Sequence, residues 1–341
     1  MSDPSRASTP RDLSQILFRA LTWLLAAGCF YLVYRKVDGA AARSSQTAIE
    51  YIAEFFANAD WMLWLGVMIP YSVFFFLVDS YATCKVINWF NARVRYLDIL
   101  PVRASTYILA LVNEQVGKGA MAVYLYRRDR VPGWEVGSSM LLIAFIEIYQ
   151  LLLWSSIGTA THFEMVRSAS GLLPLATILP VVYAAAGVYL VFHLLYFSGH
   201  LAPGRGPRER TILYAFREAR LWQYLALAAI KSVNLIAAVA VYSLALSLFR
   251  VDVAFGELLA FLPVIFLAAA LPLPFHAGAL ALWTVLFPEF PEVGIFSLVM
   301  HTFFVLFNAA IGLVFLPRAN RELFGSESEA SATGPPATGP S

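Results

Sequence analysis

Residues 106–126 read TYILALVNEQVGKGAMAVYLY, two apolar arms around Asn113-Glu114-Gln115-Val116-Gly117-Lys118-Gly119. The stretch is long enough to cross about 30 Å of hydrocarbon, yet it carries an acid and a base at its centre. At the bilayer centre each costs about 2.5–3.5 kcal/mol or more, which excludes a straight helix facing lipid. A broken hairpin that enters and leaves on one side fits, because irregular backbone is tolerated at membrane depth where protein or a water-filled cavity covers it. A second interruption falls in Phe255 to Phe287, where Leu271-Pro272-Leu273-Pro274-Phe275-His276-Ala277-Gly278 breaks the apolar run. Two prolines there remove helix donors and free carbonyls.

Outward from these breaks lie six uninterrupted apolar runs: Ile16 to Tyr34, Trp61 to Tyr81, Val136 to Ile157, Leu172 to Phe197, Leu221 to Phe249 and Ile295 to Leu316. The whole chain of 341 residues is 60% hydrophobic and 13% charged, with a mean hydropathy of +0.68. Soluble domains run near 45–50% and about 25%, so the composition is that of an integral membrane protein. The 24 Lys and Arg against 22 Asp and Glu leave +2, too little for a polyanion-binding surface, and no nucleic acid is expected as partner. Cys29 and Cys84 form no disulfide framework and no zinc spacing. The first run exceeds the length of a signal-peptide core and lacks a small-residue cleavage site, so it is read as a span.

Cation placement orients the spans. With both hairpins entering and leaving on one side, Arg6, Arg11, the cations from Lys85 to Arg103, Arg127, Arg128, Arg130, those from Arg205 to Arg220, Arg318 and Arg321 gather on the inside. Only Arg35, Lys36, Arg43, Arg167 and Arg250 fall outside. The expected fold is therefore an all-α polytopic protein of the cytoplasmic (inner) membrane, with six full transmembrane helices and both termini cytoplasmic. Two opposed re-entrant hairpins, near 104–127 and 255–288, give it the form of an inverted repeat with a midplane binding site. Residues 1–13 form a cytoplasmic segment, 14–324 the transmembrane domain, and 325–341, rich in Ser, Gly, Ala and Pro, a disordered tail. Gln46 to Ala57 spaces Ile49, Ile52, Phe55 and Phe56 as an interfacial amphipathic helix. The Arg-rich loop 198–220 is a cytoplasmic surface that a partner protein could use.

Ionisable groups within apolar runs are functional candidates, since lipid-facing placement is so costly. Glu114 and Lys118, four apart, share a helix face with Asn113 and Gln115 beside them, and either receive a charged headgroup or merely pair with each other. Gly117 and Gly119 permit the positive φ and close approach of a hairpin tip, where exposed N–H groups meet an anion. At the second tip Pro272, Pro274 and Gly278 shape the break, and His276 either binds a phosphate or hydrogen-bonds a freed carbonyl. Glu147 and Lys231, with Asn234 one turn on, lie mid-span and form either a buried ion pair or a proton-handling couple. Asp79, near the cytoplasmic end of its run, is either a functional charge of the same kind or only a solvated helix end. No metal-ligand spacing, catalytic constellation or cofactor motif is present in the pattern.

Leu111 through Gly119, followed by Tyr124-Leu125-Tyr126-Arg127-Arg128 and Val131-Pro132-Gly133-Trp134, resembles the first signature of the flippase-like membrane family. That family includes the transmembrane region of lysylphosphatidylglycerol synthases. Leu271 to Gly278 is similar to its second signature. The chain departs from the pattern in the order Glu114, Gly117, Lys118 and in the acid-free run Ala279 to Trp283, which points to a different headgroup. After Leu316 no length remains for a soluble synthase domain, so aminoacyl transfer is not expected. The resemblance implies a protein that binds or translocates an amphipathic (phospho)lipid in a polar midplane pocket, with membrane lipid as its partner. Alternatives are a proton-coupled transporter of a small polar solute and a membrane-embedded lipid-modifying transferase.

Overall fold

The computed structural model describes residues 10–112, 114–168, 174–201, 206–269, 273, 276–290 and 292–332; at 10–15, 19, 109–112, 114–120, 207 and 319–332 only the backbone is described. Among these residues every regular element is a helix and there is no strand. Six helices are long and apolar enough to cross a membrane: α1 (Pro10–Arg43), α3 (Trp61–Phe90), α6 (Gly133–Thr161), α8 (Leu175–Phe197), α10 (Leu221–Leu248) and α13 (Val293–Ala332). They fall on the six apolar runs, because about 20 predominantly apolar residues in hydrocarbon must satisfy their backbone groups internally, as a helix does. Large apolar side chains such as Leu24, Val188, Phe192 and Val314 are exposed on them. That is costly in water and ordinary against lipid.

The shorter elements are α2 (Ala48–Ala57), α4 (Tyr96–Val112), α5 (Glu114–Asp129), α7 (Phe163–Ser168), α9 (Tyr214–Glu218), α11 (Phe255–Ala269) and α12 (Ala277–Leu286). The chain divides into two compact units. Unit 1 comprises Met1–Leu65, Leu151–Tyr183 and Val239–His301, and unit 2 comprises Gly66–Gln150, Ala184–Ala238 and Thr302–Ser341. Each holds one of the two pairs of short helices.

In unit 1, α11 packs against α12, and Leu258, Phe261, Leu262, Leu280, Trp283 and Leu286 of the two helices are buried. Trp283 stacks near Tyr242 and Phe287, with centroids 5.9 and 5.2 Å away. A Cβ on Gly158 of α6 would stand 2.5 Å from the Ala260 Cα, so only glycine lets these two backbones meet. Helix α2 starts at a capping box: the Thr47 hydroxyl accepts from the Glu50 N–H at 3.3 Å and the Glu50 carboxylate accepts from the Thr47 N–H at 2.8 Å. Its Phe55 and Phe56 join Trp61, Trp64 and Phe249 in an aromatic cluster. Burial and the Glu292 carboxylate, which accepts from the Tyr51 hydroxyl at 3.0 Å, push that phenol up to about 12.

In unit 2, α4 and α5 lie along each other, with Ile99, Val102, Met121, Tyr124 and Leu125 packed on Cys84, Ile87, Val131 and Val136. Two differences from the sequence reading matter for the site. Helix α4 begins at Tyr96, well before the apolar arm, which draws Arg103 out of a presumed loop and into a helix. The break itself is short: α5 starts at Glu114, so Gly117 and Gly119 have helical backbone and supply no left-handed turn. The Arg-rich segment is also partly folded, with two 3₁₀ turns (Pro207–Glu209 and Thr211–Leu213) leading into α9. There Ala215 and Phe216 are buried and the Ala215 N–H donates to the Ser138 hydroxyl at 2.8 Å. Helix α13 runs on to Ala332, covering the first residues of the stretch whose composition reads as a tail.

Candidate functional site

In unit 2, Arg103 of α4 and Lys231 of α10 converge on Asp79. This residue of α3 faces α4 and α10 and is 3% exposed, so it is no solvated helix end. The Arg103 guanidinium donates to its Oδ2 through Nε at 2.8 Å and approaches with Nη2 at 2.6 Å. Lys231 Nζ donates to the other oxygen, Oδ1, at 2.7 Å. Tyr107 Oη lies 3.4 Å from Oδ2, with the Arg103 guanidinium 5.3 Å from the centre of its ring. Positions 103 and 107 are one turn apart on α4, which places both on the face turned to α3. An ionised carboxylate with two cations and full hydrogen bonding is the form in which a buried charge is sustained.

Lys231 also holds Glu147, at 3.4 Å. This second acid differs from the first: the Glu147 side chain is 46% exposed against 4% for Asp79. Glu147 sits at the midpoint of the 29-residue α6. Lys231 and Asp79 lie within about 5 Å, along the axis, of the midpoints of their own helices. Three residues beyond Glu147 and Lys231, on the same helix faces, are Gln150 and Asn234, 4% and 5% exposed. Among the described residues the Gln150 Oε1 and both amide atoms of Asn234 have no hydrogen-bond partner. Unsatisfied amides beside a charge cluster are costly in an interior and ordinary in a site that takes up a polar group.

The remaining sequence candidates are placed as follows. Asn113, Pro272 and Pro274 lie outside the described residues, and Glu114, Gln115, Gly117, Lys118 and Gly119 are described by backbone alone, in the first two turns of α5. In unit 1, His276 precedes α12 in the left-handed region (φ 51°) and makes no side-chain cap bond; its ring centre lies 4.3 Å from that of His301. Gly278 sits in the first turn of α12, where a Cβ would come 3.3 Å from the Ala268 carbonyl oxygen. Among the described residues no group of three or more His, Cys, Asp or Glu is placed to hold a metal ion.

Sequence reasoning passed over Arg103 and Tyr107 and undervalued Asp79 and Gln150. The signal was there in part: Asp79 is the only acid in its apolar run, and Arg103 and Tyr107 stand at helical spacing. No family model matches the chain, and neither does any curated protein or any solved structure.

Proposed function

We propose that this is a flippase-like inner-membrane protein that binds and translocates an amphipathic phospholipid, whose headgroup occupies the Asp79–Arg103–Lys231–Glu147 cluster. One observation carries the reading. A hydrogen-bonded set of two cations and two acids lies near mid-helix, with one acid half open and buried amides beside it lacking partners. Charges are kept at such depth where they serve a substrate or ion pathway. Arg103 offers planar donors and Lys231 a point charge, the two usual ways of holding a phosphate. Acyl chains stay in the bilayer while the headgroup crosses beside the cluster. In this reading the α4–α5 and α11–α12 pairs are opposed re-entrant hairpins of an inverted repeat, and both termini face the cytoplasm.

The experiment is lipid scrambling in proteoliposomes with wild type and Lys231→Met. The variant, which keeps the stem and loses the charge, is expected to slow headgroup crossing at least about tenfold, the loss of one charge-assisted hydrogen bond. Equal rates would overturn the assignment. The half-open Glu147 paired with Lys231 also suits a proton-coupled solute transporter. Uptake of a polar solute driven by a pH gradient, without lipid movement, would favour that second reading.

A further inference from the structure

The two acids of the cluster hold Lys231 unequally. Asp79 is buried, binds at 2.7 Å and is locked by Arg103 on its other oxygen. Glu147 is half exposed and binds at 3.4 Å, with no other described hydrogen bond. Among the described side chains the four charges sum to zero. Since net charge in a low-dielectric site is costly, a ligand that is itself net neutral leaves the balance intact, and an anionic one does not.

We infer that Glu147 is the exchangeable counter-ion of the site and selects zwitterionic headgroups that carry a phosphate and a primary ammonium. The ligand's phosphate takes the place of the Glu147 carboxylate on Lys231, and its ammonium binds the Glu147 carboxylate so released. Asp79 meanwhile keeps Arg103 and Lys231 in position. The unpartnered amide atoms match the two halves of such a ligand. Gln150 Oε1, one turn from Glu147, is an acceptor for the ammonium, and Asn234 Nδ2, one turn from Lys231, is a donor for the phosphate. This inference rests on the lipid-handling reading and adds to it the headgroup class and the residue that selects it.

Native mass spectrometry of the purified full chain, titrated with phosphatidylethanolamine or phosphatidylglycerol of identical acyl chains, tests it. Wild type is expected to bind the zwitterion about tenfold more tightly. Glu147→Gln should abolish or reverse that preference, and Glu147→Asp should retain it, which separates charge from packing. A preference left unchanged by Glu147→Gln, or a wild type that favours phosphatidylglycerol, would overturn the inference while leaving a lipid site standing. Binding of neither lipid by wild type would overturn the lipid reading and this inference together.

Discussion

The α4–α5 pair in unit 2 and the α11–α12 pair in unit 1 both belong to apolar segments interrupted in the middle, and they differ in what surrounds them. Around α11–α12 the solution is packing: Trp283, Phe261 and Leu262 are buried and Gly158 lets another backbone touch Ala260. Around α4–α5 the apolar packing of Ile99, Met121 and Leu125 is joined by charge compensation, with Asp79 of α3 neutralised by Arg103 and Lys231. Packing of the first kind is a stability device. A buried ion network of the second kind seldom outperforms well-packed hydrocarbon, so its presence argues for a use beyond stability.

The largest effect expected from this contrast is at Asp79. Asp79→Ala strands Arg103 and leaves Lys231 only the looser Glu147, and should cost about 3–5 kcal/mol, read as a fall in the unfolding midpoint in detergent. Replacing Asp79, Arg103, Glu147 and Lys231 together by Leu or Met should restore or exceed wild-type stability while abolishing headgroup crossing. If the fourfold variant is as unstable as Asp79→Ala, the network is structural and the contrast fails. On the other side, Gly158→Val drives a side chain into the Ala260 backbone and should cost about 1–3 kcal/mol, with lipid handling per folded molecule unchanged. Loss of crossing in that folded variant would mean the packed pair is as functional as the charged one. The smallest effect is expected outside both pairs: Thr47→Ala removes the α2 cap, worth about 1 kcal/mol, and should speed hydrogen exchange at the Glu50 amide.

Particular residues show how far the sequence could be read. The runs from Trp61 and from Leu221 declared themselves as spans because hydropathy is a local sum, and the Thr47-x-x-Glu50 cap is local too. Lys231 and Glu147 stood out because a charge in an apolar run is conspicuous wherever its partner lies. Arg103 did not, since eight residues from Arg95 to Val102 mix polar and apolar types, and nothing local reveals that α4 has already begun at Tyr96. Nor could spacing show that Asp79, 24 residues away from Arg103 and 152 from Lys231, is the anion both require. The glycines at 117 and 119 misled in the other direction: they permit a turn, and the helix runs through them.

By itself the sequence determined that the chain is helical and crosses hydrocarbon, where it is interrupted, and which charges are expensive, because backbone satisfaction in lipid and the cost of burying charge act residue by residue. Only the tertiary structure decided which expensive charges meet, that Asp79 is closed and Glu147 open, and that two buried amides wait beside them. Those are facts about separation in space, set by how α3, α4, α6 and α10 pack, and no single stretch of chain carries them.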